Sequence, residues 1–180
     1  MTHEIENDLG YFEGFNFRAQ SAIFERLTAE DVVNWDHDAN GEAEFWPEGS
    51  NDFVMLLAHG NCSGFDLIEM DRIFSEVDND EKEIAKAVYL RENHGLRLDE
   101  ITREAIDDAC LYVYGIGYFS DLRKDAAWDL FETLYPEAYK LCESWSVPGV
   151  SFDEEDFLQS FSTLELKTRD HQGFLVVEIA

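Results

Sequence analysis

Residues 121–161 read DLRKDAAWDLFETLYPEAYKLCESWSVPGVSFDEEDFLQSF. Leu122, Ala126, Leu130 and Leu134 recur at helical spacing and predict one apolar helix face. Asp121, Asp125, Asp129 and Glu132 form a second, wholly acidic stripe on the same helix. Like charges at i, i+4 cost a helix about 0.2–0.5 kcal/mol per pair. A helix that needed only solubility would gain from a lysine among them, so the stripe reads as a surface held for a cationic partner. Ser120 is the expected N-cap, and Pro136 follows the helix end. EAYKLCESW predicts a further helix before the break at Pro148–Gly149. Ser151 to Ser160 predicts another, anchored by Phe152, Phe157 and Phe161.

Working toward the N-terminus, LYVYGIG reads as a short strand or buried turn, and Leu98–Ala109 as a helix with Ile101, Ala105 and Ile106 inward. DNDEKEIAKAVYLRENHG predicts a helix stopped at Gly95. Before it, Asp66 caps a helix with Leu67, Met70, Ile73, Phe74 and Val77 on one face. Earlier still, a short helix is expected from Arg18 to Leu27, Thr28 is a cap for AEDVVNW, and Phe53–Ala58 is strand or buried helix. Toward the C-terminus, LELKT and FLVVEIA predict a hairpin with Gly173 at its bend. The class is α+β: a mostly helical acidic chain with small β-sheet elements. We expect an N-terminal acidic α+β lobe over 1–63 and a helical acidic region with a terminal strand pair over 64–180.

Charge limits the function. The chain carries 40 Asp plus Glu against 13 Lys plus Arg, a net charge of −27. A magnitude of about 2–8 keeps a small domain soluble, and self-repulsion beyond that opposes compaction. Three causes would maintain it: a strongly basic partner surface, a high-salt environment or cation binding. Hydrophobic residues at 45% and aromatics at 14% supply a folded core, so this is not a disordered acidic tail. Without a basic patch the chain is not expected to bind nucleic acid or anionic membrane. It shows neither a secretory signal nor a spanning apolar run, which leads us to expect a cytoplasmic protein. Cys62, Cys110 and Cys142 read as reduced, buried thiols.

Motifs for chemistry are weak. Asp36-His37-Asp38-Ala39-Asn40-Gly41 matches the first half of a calcium loop, but Pro47 stands where the bidentate Glu belongs. An Asx-rich hairpin turn accounts for the same residues. The histidines His3, His37, His59, His94 and His171 lie far apart without metal-ligand spacing. Cys62 with His59 lacks any local nucleophile signature. Close carboxylate pairs are inevitable in so acidic a chain and carry no specific signal for glycoside hydrolysis. The aromatic-rich patches, Trp128–Tyr139 among them, are most simply core, although an aromatic on a rim would serve an interface. The expectation is no catalytic residue, no metal and no cofactor.

The acidic rows remain as the candidate partner-binding surface. Beside Asp121, Asp125, Asp129 and Glu132 stand Glu100, Glu104 and Asp108, then Glu76, Asp80 and Glu83, then Asp153, Glu154, Glu155 and Asp156. Carboxylates at i, i+4 sit about 5–6 Å apart on a helix. That approaches the spacing of phosphates, which add one charge per ~3.4 Å of axis along each nucleic-acid strand. Such rows would present a phosphate-like lattice to a DNA-binding cleft.

From about Leu67 onward the chain resembles the ArdA-type antirestriction proteins. The resemblance lies in Glu69-Met70-Asp71-Arg72, Asp107-Asp108, Tyr118-Phe119-Ser120-Asp121-Leu122, Tyr135-Pro136-Glu137 and Phe152-Asp153-Glu154-Glu155-Asp156-Phe157. It implies an elongated, curved α+β protein, a homodimer, whose acidic surface imitates bent B-form DNA in the groove of Type I restriction-modification enzymes. It implies no enzymatic activity and no cofactor. The expected function is therefore a DNA-mimic inhibitor of a restriction-modification enzyme or another DNA-binding defence protein. The alternative is an acidic immunity protein that neutralises a basic nuclease toxin.

Overall fold

A computed structural model describes residues 22, 26, 36–37, 43–44, 64–144, 152–167 and 172–179, with 36–37, 43–44, 64–67 and 143–144 in backbone only. The fold is α+β, helices with a small antiparallel sheet. The chain divides into two compact units, Met1–Asp107 and Asp108–Ala180.

In the first unit, β1 (Asp36–His37) pairs antiparallel with β2 (Ala43–Glu44), so the flanks of the half calcium motif form a hairpin. Asp38 to Gly41 lie outside the described residues, as do most of the expected Arg18–Leu27 helix, the AEDVVNW helix and Phe53–Ala58. Ala22 and Arg26 are helical. Helix α1 (Gly64–Glu76) starts two residues before its expected cap Asp66 and buries Met70, Ile73 and Phe74, with Val77 just beyond its end. The chain then turns through Asp78 and Asn79 at φ 53 and 56. Asp and Asn tolerate this left-handed region better than other residues with a Cβ.

Asp80 caps α2 (Glu81–His94) by accepting from the amides of Lys82 and Glu83 at 2.9 and 3.0 Å. Gly95 stops it at φ 69 with its N–H turned back to the last carbonyls, a conformation suited to glycine.

Leu98–Ala109 is not one helix. A 3₁₀ turn (Leu98–Glu100) is followed by Ile101 at ψ 89, outside the helical region, and then by α3 (Arg103–Asp108). Two side chains cause the break. Arg72 donates to the carbonyls of Leu98 and Ile101, both at 2.9 Å. Thr102 accepts from the amide of Ala105 at 3.1 Å and so starts α3 afresh. Ile101 and Ile106 are buried as expected, while Ala105 is half-buried.

The second unit is a three-stranded antiparallel sheet in the order β3-β5-β4, formed by β3 (Leu111–Gly117), β4 (Ser162–Lys167) and β5 (Gly173–Glu178). The terminal hairpin is therefore present, with Gly173 not at its bend but paired with Lys167 as the first residue of β5, and LYVYGIG supplies the third strand. Across one sheet face lies α4 (Phe119–Leu134). Its Leu122, Ala126, Ala127 and Leu130 form a buried cluster with Leu158, Leu175 and Val177. The predicted apolar stripe is thus the core-facing stripe, with Leu134 only half-buried at its end. Phe174 and Val176 alternate with Leu175 and Val177 and are also buried, so the central strand is enclosed on both faces.

In the second unit, helix boundaries differ from expectation at three places. Tyr118, without a side-chain cap, occupies the N-cap of α4, and Ser120 lies inside the helix. Pro136 opens α5 (Pro136–Ser144), a first-turn position where its missing N–H leaves no helical bond unmade. Helix α6 is only Glu154–Leu158, because Asp153 caps it by accepting from the amide of Asp156 at 3.0 Å.

Candidate partner-binding surface

The predicted acidic residues fall into two sets. One set is occupied inside the protein. Glu76 accepts from Arg72 Nη1 and from the amide of Arg103, each at 3.0 Å. Asp80 and Asp153 are helix caps. Glu83 pairs with Lys86 Nζ at 2.8 Å and faces Arg103 at 3.8 Å. Glu100 accepts from the amide of Arg97 at 2.9 Å. That bond is the main reason its carboxyl is held below the usual range. Asp129 Oδ2 accepts from the hydroxyl of Tyr114 at 2.9 Å. Glu154 Oε1 accepts from the indole N–H of Trp128 at 2.7 Å.

The other set is exposed: Glu104, Asp108, Asp121, Asp125, Glu132, Glu155 and Asp156. None of these side chains makes a hydrogen bond or ion pair among the described residues. Rigid helices hold unpaired carboxylates here against mutual repulsion.

Of the expected rows, only Asp121, Asp125, Asp129 and Glu132 lies wholly on one helix. Glu76, Asp80 and Glu83 belong to the end of α1, the cap of α2 and its first turn. Glu100 sits in the 3₁₀ turn, while Glu104 and Asp108 share α3. The i, i+4 spacing in sequence crossed element boundaries at both places.

Beside this surface is an arrangement of rings. Phe131 stacks on Phe152 with centroids 4.5 Å apart, and Trp128 lies 4.8 Å from Phe152. Tyr139 meets Trp128 and Phe131 edge-on at 6.1 and 6.2 Å. Phe157 contacts Phe152, Tyr135 and Phe161 at 5.2, 6.2 and 5.3 Å. None of these rings is buried, and Tyr135 is 54% exposed. The Trp128–Tyr139 patch is thus a half-buried outer layer of the core, open at Tyr135, whose partner rings Phe152 and Phe157 pack against the aliphatic cluster. The cysteine expectation is also corrected: Cys110 and Cys142 are exposed thiols, and Cys62 lies outside the described residues.

No family model, curated protein or solved structure matches this chain. The resemblance to ArdA-type proteins thus rests on the quoted motifs alone.

A cleft of about 400 Å³ opens between α4 and α6, lined by Ser120, Arg123, Lys124, Glu154, Glu155 and Leu158. Its charges offset one another, and Arg123 is held by Glu165 at 2.7 Å. Among the described residues no group of three or more His, Cys, Asp or Glu side chains converges as a metal site requires, and no helix is long and apolar enough to cross a membrane.

Sequence reasoning missed Arg72, which binds Glu69, Glu76 and two backbone carbonyls. Burial works against its charge, but the bonds to Glu69 and Glu76 outweigh that, and its pKa is raised. It also missed Tyr114 and Trp128 as donors to acidic residues. No local pattern marks those pairs, since each joins separate elements.

Proposed function

We propose that this protein is a non-enzymatic, elongated DNA mimic of the cytoplasm that inhibits a DNA-binding defence enzyme of the restriction-modification type. The observation that carries this reading is the set of exposed, unpaired carboxylates at Asp121, Asp125 and Glu132 on a 16-residue helix, within a chain of net charge −27. Fixed anionic rows of this kind steer a basic cleft into encounter and then compete with its DNA. No cofactor takes part. The homodimer implied by the ArdA-type resemblance belongs to the same proposal and would lengthen the acidic surface.

The test is displacement of a labelled DNA duplex from a Type I methyltransferase complex. Displacement that weakens as salt rises supports the proposal. No displacement at low salt removes that target.

The ring patch favours a second reading, an immunity protein for one basic nuclease toxin. Exposed aromatics beside acids suit a single tight partner. Inhibition of one nuclease together with failure against the methyltransferase would select it.

A further inference from the structure

We propose that the aromatic ridge of α4, α5 and α6 is the anchoring patch for a basic protein partner, and that this partner docks through arginine side chains. The inference rests on the reading that the partner is a basic protein, and it specifies where and by what chemistry that partner is gripped.

The rings form the outer layer of the core, with Phe152, Phe157 and Phe161 packed against its buried cluster. Leu122, Ala126, Ala127, Leu130, Leu158, Leu175 and Val177 are buried beneath them. At its edge the ridge leaves Tyr135 exposed at 54%. Its rings already hold one another, at centroid separations from 4.5 Å for Phe131–Phe152 to 6.4 Å for Trp128–Phe131. A ridge ordered before binding loses little side-chain freedom when a partner arrives.

The rim decides the partner's chemistry. Glu132 stands one helical turn from Trp128 on α4. Asp156 directly precedes Phe157 on α6. Both are exposed and unpaired among the described residues. Lys140, on α5, is turned to Glu137 at 3.4 Å. A purely apolar partner would strip water from the rim carboxylates and give nothing back. A second copy docking by a two-fold axis would set these same carboxylates against themselves. A basic surface meets both requirements, and arginine meets them best. Its flat guanidinium stacks on a ring face while donating to an adjacent carboxylate, which a lysine ammonium does less well.

The test uses the full chain and two synthetic amphipathic helical peptides of identical pattern, one leucine–arginine and one leucine–lysine. Binding is measured by calorimetry at a salt concentration that screens exposed charges, and the Trp128 indole resonance is followed by NMR. The arginine peptide is expected to bind about tenfold tighter than the lysine peptide and to shift the Trp128 indole. The variant Tyr135→Ser should lose about tenfold of that affinity, the scale of an interface anchor. Tyr135 is exposed, so circular dichroism should show an intact fold. Equal affinity for the two peptides, or an unmoved Trp128 indole at saturation, would overturn the proposal. So would self-association of the wild type that this variant abolishes, since that makes a second copy the occupant. Failure to displace DNA from a methyltransferase would sink the function proposed above and leave this peptide result standing.

Discussion

The hydroxyl of Tyr114 on β3 donates to Asp129 Oδ2 on α4 at 2.9 Å. A residue of the acidic stripe is thereby tied to the sheet beneath it. Burial, and next the bond to Asp129, hold the Tyr114 hydroxyl protonated well above the usual tyrosine range. Because the folded-state value is the raised one, the stabilisation is complete below about pH 10 and is lost as pH rises beyond it. Tyr114→Phe should cost about 1 kcal/mol near neutral pH. Urea unfolding should show wild type losing this advantage over the variant above about pH 10. Inhibition should be unchanged, since Asp129 keeps its charge.

Glu76 carries a different weight from the one its place in an acidic row predicts. It binds Arg72 and the first amide of α3. Glu76→Ala should therefore destabilise the first unit by about 2 kcal/mol, with the thermal midpoint as the readout. Purified folded variant should inhibit as well as wild type.

These two residues show what was legible and what was not. The helical periods of Met70/Ile73/Phe74/Val77 and Leu122/Ala126/Leu130 mark core faces directly, because burial selects for them locally. The terminal hairpin was legible for the same reason. The break at Ile101 was not, because it depends on Arg72, far away in sequence. Of the acidic surface, exposure was readable, but the engagement of Glu76, Asp129 and Glu154 was not. A carboxylate that caps a helix or accepts from a distant tyrosine has the same local sequence as a free one. The aromatic ridge expected as core is its half-buried outer layer, and composition does not reveal that Tyr135 at its edge stays exposed.

Within the stripe, the two free aspartates should differ in stability. Asp125 faces like charges one turn away on either side, Asp121 and Asp129. Asp125→Asn should raise stability by a few tenths of a kcal/mol. Asp121 lies in the first turn of α4. The favourable helix dipole there offsets its repulsion from Asp125, so Asp121→Asn should be near neutral. Chemical denaturation of the two single variants checks the order.

Gly173 begins the central strand with no room for a side chain. A Cβ there would run into the carbonyl of Leu166 and the ring of Phe119. Gly173→Ala should cost about 1–3 kcal/mol or more, and hydrogen exchange should show lost protection across β4 and β5 first.

The central claim is that the free carboxylates of α4 compete with DNA. The most direct measurement is the inhibition constant of Asp121→Asn/Asp125→Asn/Glu132→Gln against a Type I methyltransferase bound to labelled DNA, taken over a range of salt. The account predicts a constant weakened about tenfold at low salt, with a shallower salt dependence than wild type. A variant that inhibits as strongly as wild type, with the same salt dependence, would contradict it and leave the stripe as a solvated helix face.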